Sequence, residues 1–119
     1  EARTAHHDRL TLQIAFNYGG RAELVDAARA LAEDAVAGRL RPDRITERSL
    51  HARLYAPSAP DVDLLVRTSG EQRLSNFLLW EAAYAELVFT ETLWPDFDRY
   101  ALYAAVAEFQ RRARRFGRV

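Results

Sequence analysis

Residues Asp61 to Phe77 read DVDLLVRTSGEQRLSNF. The run DLLVRT is short, apolar and β-branched at its centre, and it follows a proline-containing loop, which predicts a strand covered on both faces. Its exit is the opposite in character. From Arg67 to Phe77 the chain gathers two arginines, two serines, a glycine and a glutamate in eleven residues. In open α/β sheets, ligands bind beyond the carboxyl ends of the strands, so the sequence places a polar, cation-bearing loop where a site is expected.

Working outward, LTLQIAF (Leu10 to Phe16) alternates and then turns fully apolar, predicting a first strand. NYGGR follows, and Gly19 and Gly20 permit a tight turn into a helix from about Arg21 to Gly38. In that helix Leu24, Ala27, Ala28, Leu31 and Ala35 form one small-residue face. Thr46 with Ser49 opens a short helix, TERSLHARLY, which ends before APSAPDVD. Beyond the arginine loop, NFLLWEAAYA predicts a short buried helix and ELVFT (Glu86 to Thr90) a third strand. LWPDFD is a turn. Asp98 is placed to cap a last helix with the stripe Leu102, Val106, Phe109, Ala113 and Phe116, and Arg111, Arg114, Arg115 and Arg118 on its other side. Strands separated by helices give an α/β fold, a parallel β-sheet flanked by helices with three strands in this chain. Three parallel strands leave two apolar edges, so residues 1–119 read as the C-terminal part of a larger single domain.

Composition narrows the function. The 119 residues are 49% hydrophobic, which fits one globular unit. Seventeen basic residues balance seventeen acidic ones, so no global field favours nucleic acid or acidic lipid. There is no cysteine, which removes disulfides, thiolate metal sites and a cysteine nucleophile. Every basic residue is arginine, so arginine counts carry no weight and spacing must decide. His6, His7 and His51 share no metal-ligand spacing and read as surface residues.

In the loop, Arg67 and Arg73 each offer a planar fork of donors, Ser69 and Ser75 offer hydroxyls, and the Ser69-Gly70 backbone can turn its N–H groups toward an anion. Together these suit a diphosphate. The competing structural reading pairs the two arginines with Glu71, Asp61 or Asp63.

NYGGR, DLLVRTSGEQRLSNFLLWEAAYAEL, FTETLWPDF and the terminal RRARRFG together resemble the C-terminal half of the cis-prenyltransferases, the undecaprenyl diphosphate synthase-like family. The resemblance implies Mg2+-dependent condensation of isopentenyl diphosphate with an allylic prenyl diphosphate to give a cis-prenyl diphosphate. It implies that Arg67, Arg73 and Ser75 hold the diphosphate of isopentenyl diphosphate, that Glu86 positions magnesium, and that Leu10 and Ile14 line the product tunnel. It also implies a homodimer in which Arg115 and Gly117, in the terminal RFG, reach the partner's isopentenyl site. Gln72 stands where many relatives carry histidine near the metal. Asn17, Tyr18 and Arg21 stand near the cleft without a chemical role, and Trp80, Tyr84, Trp94 and Phe97 read as core or dimer interface. Nothing here matches the family's catalytic aspartate loop, so no catalytic residue is assigned in this chain and the chain alone is expected to be inactive. The expected location is cytoplasmic, peripheral to the membrane through the lipid product. Two other classes are a non-catalytic dimer-supporting subunit of the same family, and a nucleic-acid-binding domain, which the zero net charge disfavours.

Overall fold

The computed structural model describes Thr4 and residues 6–112. Among these residues three α-helices and two strands appear in the order α1 (Gly20–Val36), α2 (Glu47–His51), β1 (Leu64–Arg67), β2 (Glu86–Phe89) and α3 (Arg99–Arg111). The strands pair in parallel, with Leu64 opposite Glu86 and Arg67 opposite Phe89. Backbone bonds carry the pairing past both ends: Glu86 N–H donates to Asp63 O at 3.0 Å, and Thr90 N–H to Arg67 O at 2.9 Å. Leu65 and Val88 are both buried although they point to opposite faces, as a covered parallel sheet requires.

The predicted strand over Leu10 to Phe16 is not one. The segment makes no ladder among the described residues, and Leu10 and Ile14 are 82% and 81% exposed. Alternation prepares a segment for a sheet, but a strand exists only where a neighbour takes its N–H and C=O groups. Among the described residues the sheet accordingly has two strands rather than three. The helix predicted over NFLLWEAAYA is also absent. Ser75, Asn76 and Leu78 have φ of 51°, 64° and 47°, which breaks helical geometry, and a succession of turns follows instead. Those turns still place Ala82 in the core.

Helix α1 buries a different stripe from the one its apolar pattern indicates. Ala27 and Leu31 are buried as expected, but Glu23 and Asp34 join them while Ala28 is exposed. The rotation follows from pairing, since a buried carboxylate is stable where its oxygens are satisfied. Glu23, only 2% exposed, accepts the Tyr55 backbone N–H at 2.9 Å and the Tyr18 hydroxyl. Asp34 accepts Arg39 Nε at 2.8 Å and the Arg53 guanidinium. Both carboxylates thereby tie α1 to the segment following α2.

The helix starts follow local chemistry. At α2, Ser49 N–H donates to Thr46 Oγ1 at 3.2 Å while Thr46 N–H donates to Ser49 Oγ at 2.7 Å, a reciprocal cap. At α3, Asp98 Oδ1 accepts Tyr100 N–H and Ala101 N–H, both at 2.9 Å. Ala105 is the buried residue of α3, which packs on β2. Of its predicted stripe, Leu102 is exposed, and Ala113 and Phe116 lie outside the described residues.

The NYGG turn is shaped by a close approach. A Cβ on Gly20 would stand 2.9 Å from Leu79 Cγ and 3.2 Å from both Asn76 O and Leu79 N. Helix propensity favours alanine over glycine there by about 1 kcal/mol, whereas overpacking costs about 1–3 kcal/mol. Two of the three neighbours are backbone atoms that yield little, so Gly20→Ala is expected to lower the urea midpoint of the intact protein. An unchanged or raised midpoint would show that the junction has slack.

Candidate functional site

The loop from Arg67 to Phe77 starts at the carboxyl end of β1. Its first turn is held by the sheet: Ser69 N–H donates to Thr92 O and Gly70 N–H to Thr90 O, both at 2.9 Å. These two amides are therefore engaged by backbone carbonyls. The expectation that they face an anion is corrected, because the parallel pairing runs on into the loop and takes them. Ser69 and Gly70 both have φ of 69°, and the chain turns sharply there.

The turn brings three of the predicted residues together. Glu71 receives the Arg67 guanidinium on Oε2, and Arg73 Nη2 lies 2.7 Å from its Oε1. Ser75 Oγ is 3.4 Å from Arg67 Nη2. Two guanidinium groups thus converge on the Glu71 carboxylate, with the Ser75 hydroxyl beside one of them, in a partly exposed cluster of net charge +1. Arg67, whose hydrogen bond to Glu71 comes first, and then the charge of Arg73 hold that carboxyl below its ordinary value.

Glu86 is elsewhere. It opposes Leu64, three residues before the Arg67–Phe89 pair, and the pleat turns the two side chains to opposite faces. About 10 Å of strand separates them. Arg112 engages it there, with Nη1 3.1 Å from Glu86 Oε2 and 2.8 Å from the Leu87 carbonyl, while Nη2 reaches Glu108. Arg112 pins the end of α3 to the start of β2, a role that the arginine-rich terminus hid among equivalent residues. Among the described residues no group of three or more His, Cys, Asp or Glu side chains stands together for a metal.

Ile14 lines an open cleft of about 560 Å³ with Tyr18, Tyr55, Phe77, Leu78 and Glu81, whereas Leu10 does not. Tyr18 meets Tyr55 and Phe77 edge to face, at centroid distances of 6.2 and 5.6 Å. Burial, then the hydrogen bond and charge of Glu23, push its phenol well above the ordinary value. Glu81 is buried beside the cleft, and its Oε2 has no hydrogen-bond partner among the described residues. Trp94 is exposed and stacks on Phe97, Tyr84 is exposed, and Trp80 is half-buried. His6 and His7 are exposed, and His51 Nε2 lies 3.3 Å from Pro57 O. Arg115 and Gly117 lie outside the described residues, as does the rest of the terminal RFG. No helix among the described residues is long and apolar enough to cross a membrane.

The undecaprenyl diphosphate synthase family model, Prenyltransf, matches residues 1–117. The chain belongs to this family. It is 60% identical over 117 residues to a trans,polycis-polyprenyl diphosphate synthase, (2Z,6E)-farnesyl diphosphate specific, of Thermobifida fusca, covering 98% of this chain and 42% of that one. It is 56% identical over 118 residues to the decaprenyl diphosphate synthase of Mycolicibacterium smegmatis, covering 99% of this chain and 40% of that protein. The family fold is matched by a crystal structure of lavandulyl diphosphate synthase from Lavandula x intermedia in complex with dimethylallyl diphosphate, at TM-score 0.82 and 44% identity over 85% of this chain and 44% of that one. A Campylobacter jejuni protein assigned as an undecaprenyl diphosphate synthase matches at TM-score 0.79 and 37% identity, over 98% of this chain and 52% of that one. The family chain thus spans about two-fifths of the length of its curated relatives.

The paired carboxylates of this chain also set its response to acid. Arg53 and then Arg39 hold Asp34 below its ordinary 3.8, as Arg67 holds Glu71 below 4.5. Groups with depressed folded values contribute stability that is present above the unfolded values and lost as pH falls through the folded ones. The melting temperature is expected to stay level down to about pH 5 and to fall below about pH 4. Asp34→Asn should shift the whole curve down and flatten its acid limb, and an acid limb of unchanged steepness would show that Asp34 is not among its causes.

Proposed function

We propose that this chain supplies the isopentenyl diphosphate half of a cis-prenyltransferase site, and that the intact protein condenses isopentenyl diphosphate with an allylic prenyl diphosphate, forming a cis double bond and releasing diphosphate. The carrying observation is that Arg67 and Arg73 meet on Glu71 at the carboxyl end of β1 with the Ser75 hydroxyl beside Arg67, a cluster in which the Glu71 pairing expected on the structural reading is present and still leaves one positive charge in excess. Glu71 orients both guanidinium forks toward one point, so an arriving diphosphate meets positioned donors rather than two freely rotating side chains. The arginines bind and orient, and the groups that ionise the allylic partner are proposed to lie outside this chain.

Magnesium is the cofactor proposed for the intact protein, and it would neutralise charge on the departing diphosphate. Magnesium is commonly held by one or two carboxylates together with substrate phosphate oxygens. Glu86 offers one such carboxylate, with Arg112 on its Oε2. Leu10 and Ile14 are proposed to face the growing chain, which their exposed apolar side chains support. A homodimer with Arg115 and Gly117 serving the partner's site, and a cytoplasmic protein peripheral to the membrane, complete the proposal.

In the intact protein, Arg67→Ala and Arg73→Ala are expected to raise KM for isopentenyl diphosphate by about 10- to 100-fold, the loss of charge-assisted hydrogen bonds, with little change in KM for the allylic substrate. Equal loss for both substrates would remove the half-site assignment. Glu86→Gln should instead raise the magnesium concentration for half-maximal velocity, and an unaltered requirement would take Glu86 away from the metal.

A further inference from the structure

Helix α1 begins without a cap of its own. Gly19 occupies the N-cap position and offers no side chain to the first amides. They are taken by a residue 55 positions beyond Arg21: Gly20 N–H donates to the Asn76 carbonyl at 2.8 Å, and Arg21 N–H to Asn76 Oδ1 at 2.8 Å. The glycines make this possible, since a Cβ on Gly19 would stand 3.0 Å from Asn76 Nδ2.

Asn76 follows Ser75, and the two residues form a left-handed step with φ of 51° and 64°. Asparagine adopts that conformation more readily than most residues, whereas serine there needs an external hold. Asn76 is exposed, so packing supplies little of that hold and the two amides of α1 supply it. One residue away, the consequence is the placement of Ser75 Oγ beside the Arg67 guanidinium at 3.4 Å.

We infer that Asn76 is a positioning residue for the anion-binding loop: by accepting the first two amides of α1 it fixes the Ser75-Asn76 step and, through it, the position of Ser75 next to Arg67. The inference rests on the diphosphate reading of the loop given above. It also joins two separated motifs, NYGGR and RTSGEQRLSN, into one mechanical unit.

Asn76→Gly in the intact protein tests it, because glycine tolerates the left-handed step and keeps the carbonyl, losing only the acceptor for Arg21 N–H. KM for isopentenyl diphosphate is expected to rise about fivefold, the effect of one hydrogen bond, with kcat and the allylic KM within about twofold of the unsubstituted protein. Asn76→Asp retains the acceptor at a helix N-terminus and should recover most of the loss. Each assay is run well below the variant's own melting temperature. A lowered melting temperature with unchanged KM in Asn76→Gly would make Asn76 a stability cap alone and overturn the inference. Arg67→Ala separates the two levels. If it leaves KM for isopentenyl diphosphate unaltered, the diphosphate reading fails and the positioning role fails with it. If it raises KM strongly while Asn76→Gly is silent, only the positioning role fails.

Discussion

The junction between the start of α1 and Asn76 is the constraint on which the rest depends. A helix start leaves donors that need partners, and here the partner is a loop distant in sequence. Because the partner is a single residue with left-handed backbone, α1 and the loop after β1 must approach closely. That approach is what requires glycine at positions 19 and 20. Tyr18 reinforces the same junction, packing edge-on against Phe77 and bonding Glu23. Glu23 in turn holds the Tyr55 amide, so the segment after α2 is fastened to the same corner.

Electrostatics divides the chain into two separate arginine roles. Arg67 and Arg73 share Glu71 and retain a net positive charge in a loop open to solvent, where a more highly charged anion can compete for them. Arg112 is instead half-buried between Glu86 and Glu108 and also bonds a main-chain carbonyl, so its charge is offset and its role is to fasten α3. Residue type is the same in both places. The difference lies in how many acidic partners surround each guanidinium and whether the backbone joins them.

What could be read in advance was chemistry that is local. Thr46 with Ser49 and Asp98 announce helix starts because a cap needs only neighbours three residues away. DLLVRT and ELVFT were legible as strands through their composition, and the arginine loop through its place after one of them. The losses are non-local. LTLQIAF carries the alternation of a strand, yet alternation does not supply a pairing partner. NFLLWEAAYA has helix-forming composition, but Ser75 and Asn76 are left-handed, and Asn76 bonds the Arg21 amide 55 residues away, a contact that propensity does not register. The buried face of α1 was displaced because Glu23 and Asp34 find donors outside the helix. For the same reason the Ser69 and Gly70 amides read as ligand donors in the sequence, whereas in the fold the Thr92 and Thr90 carbonyls accept them.

The sheet itself imposes a final separation. Parallel register sets Glu86 opposite Leu64 and Arg67 opposite Phe89, and a period of two residues then sends the carboxylate and the guanidinium to opposite faces. No rotamer change carries a side chain through a sheet whose Leu65 and Val88 are buried on either side. The Arg67–Arg73–Glu71 cluster and the Glu86 carboxylate are therefore separate features of one short β-unit, connected through the backbone. A substitution at one should leave the geometry of the other intact, because among the described residues their side-chain partners differ: Glu71 and Ser75 serve Arg67, while Arg112 serves Glu86.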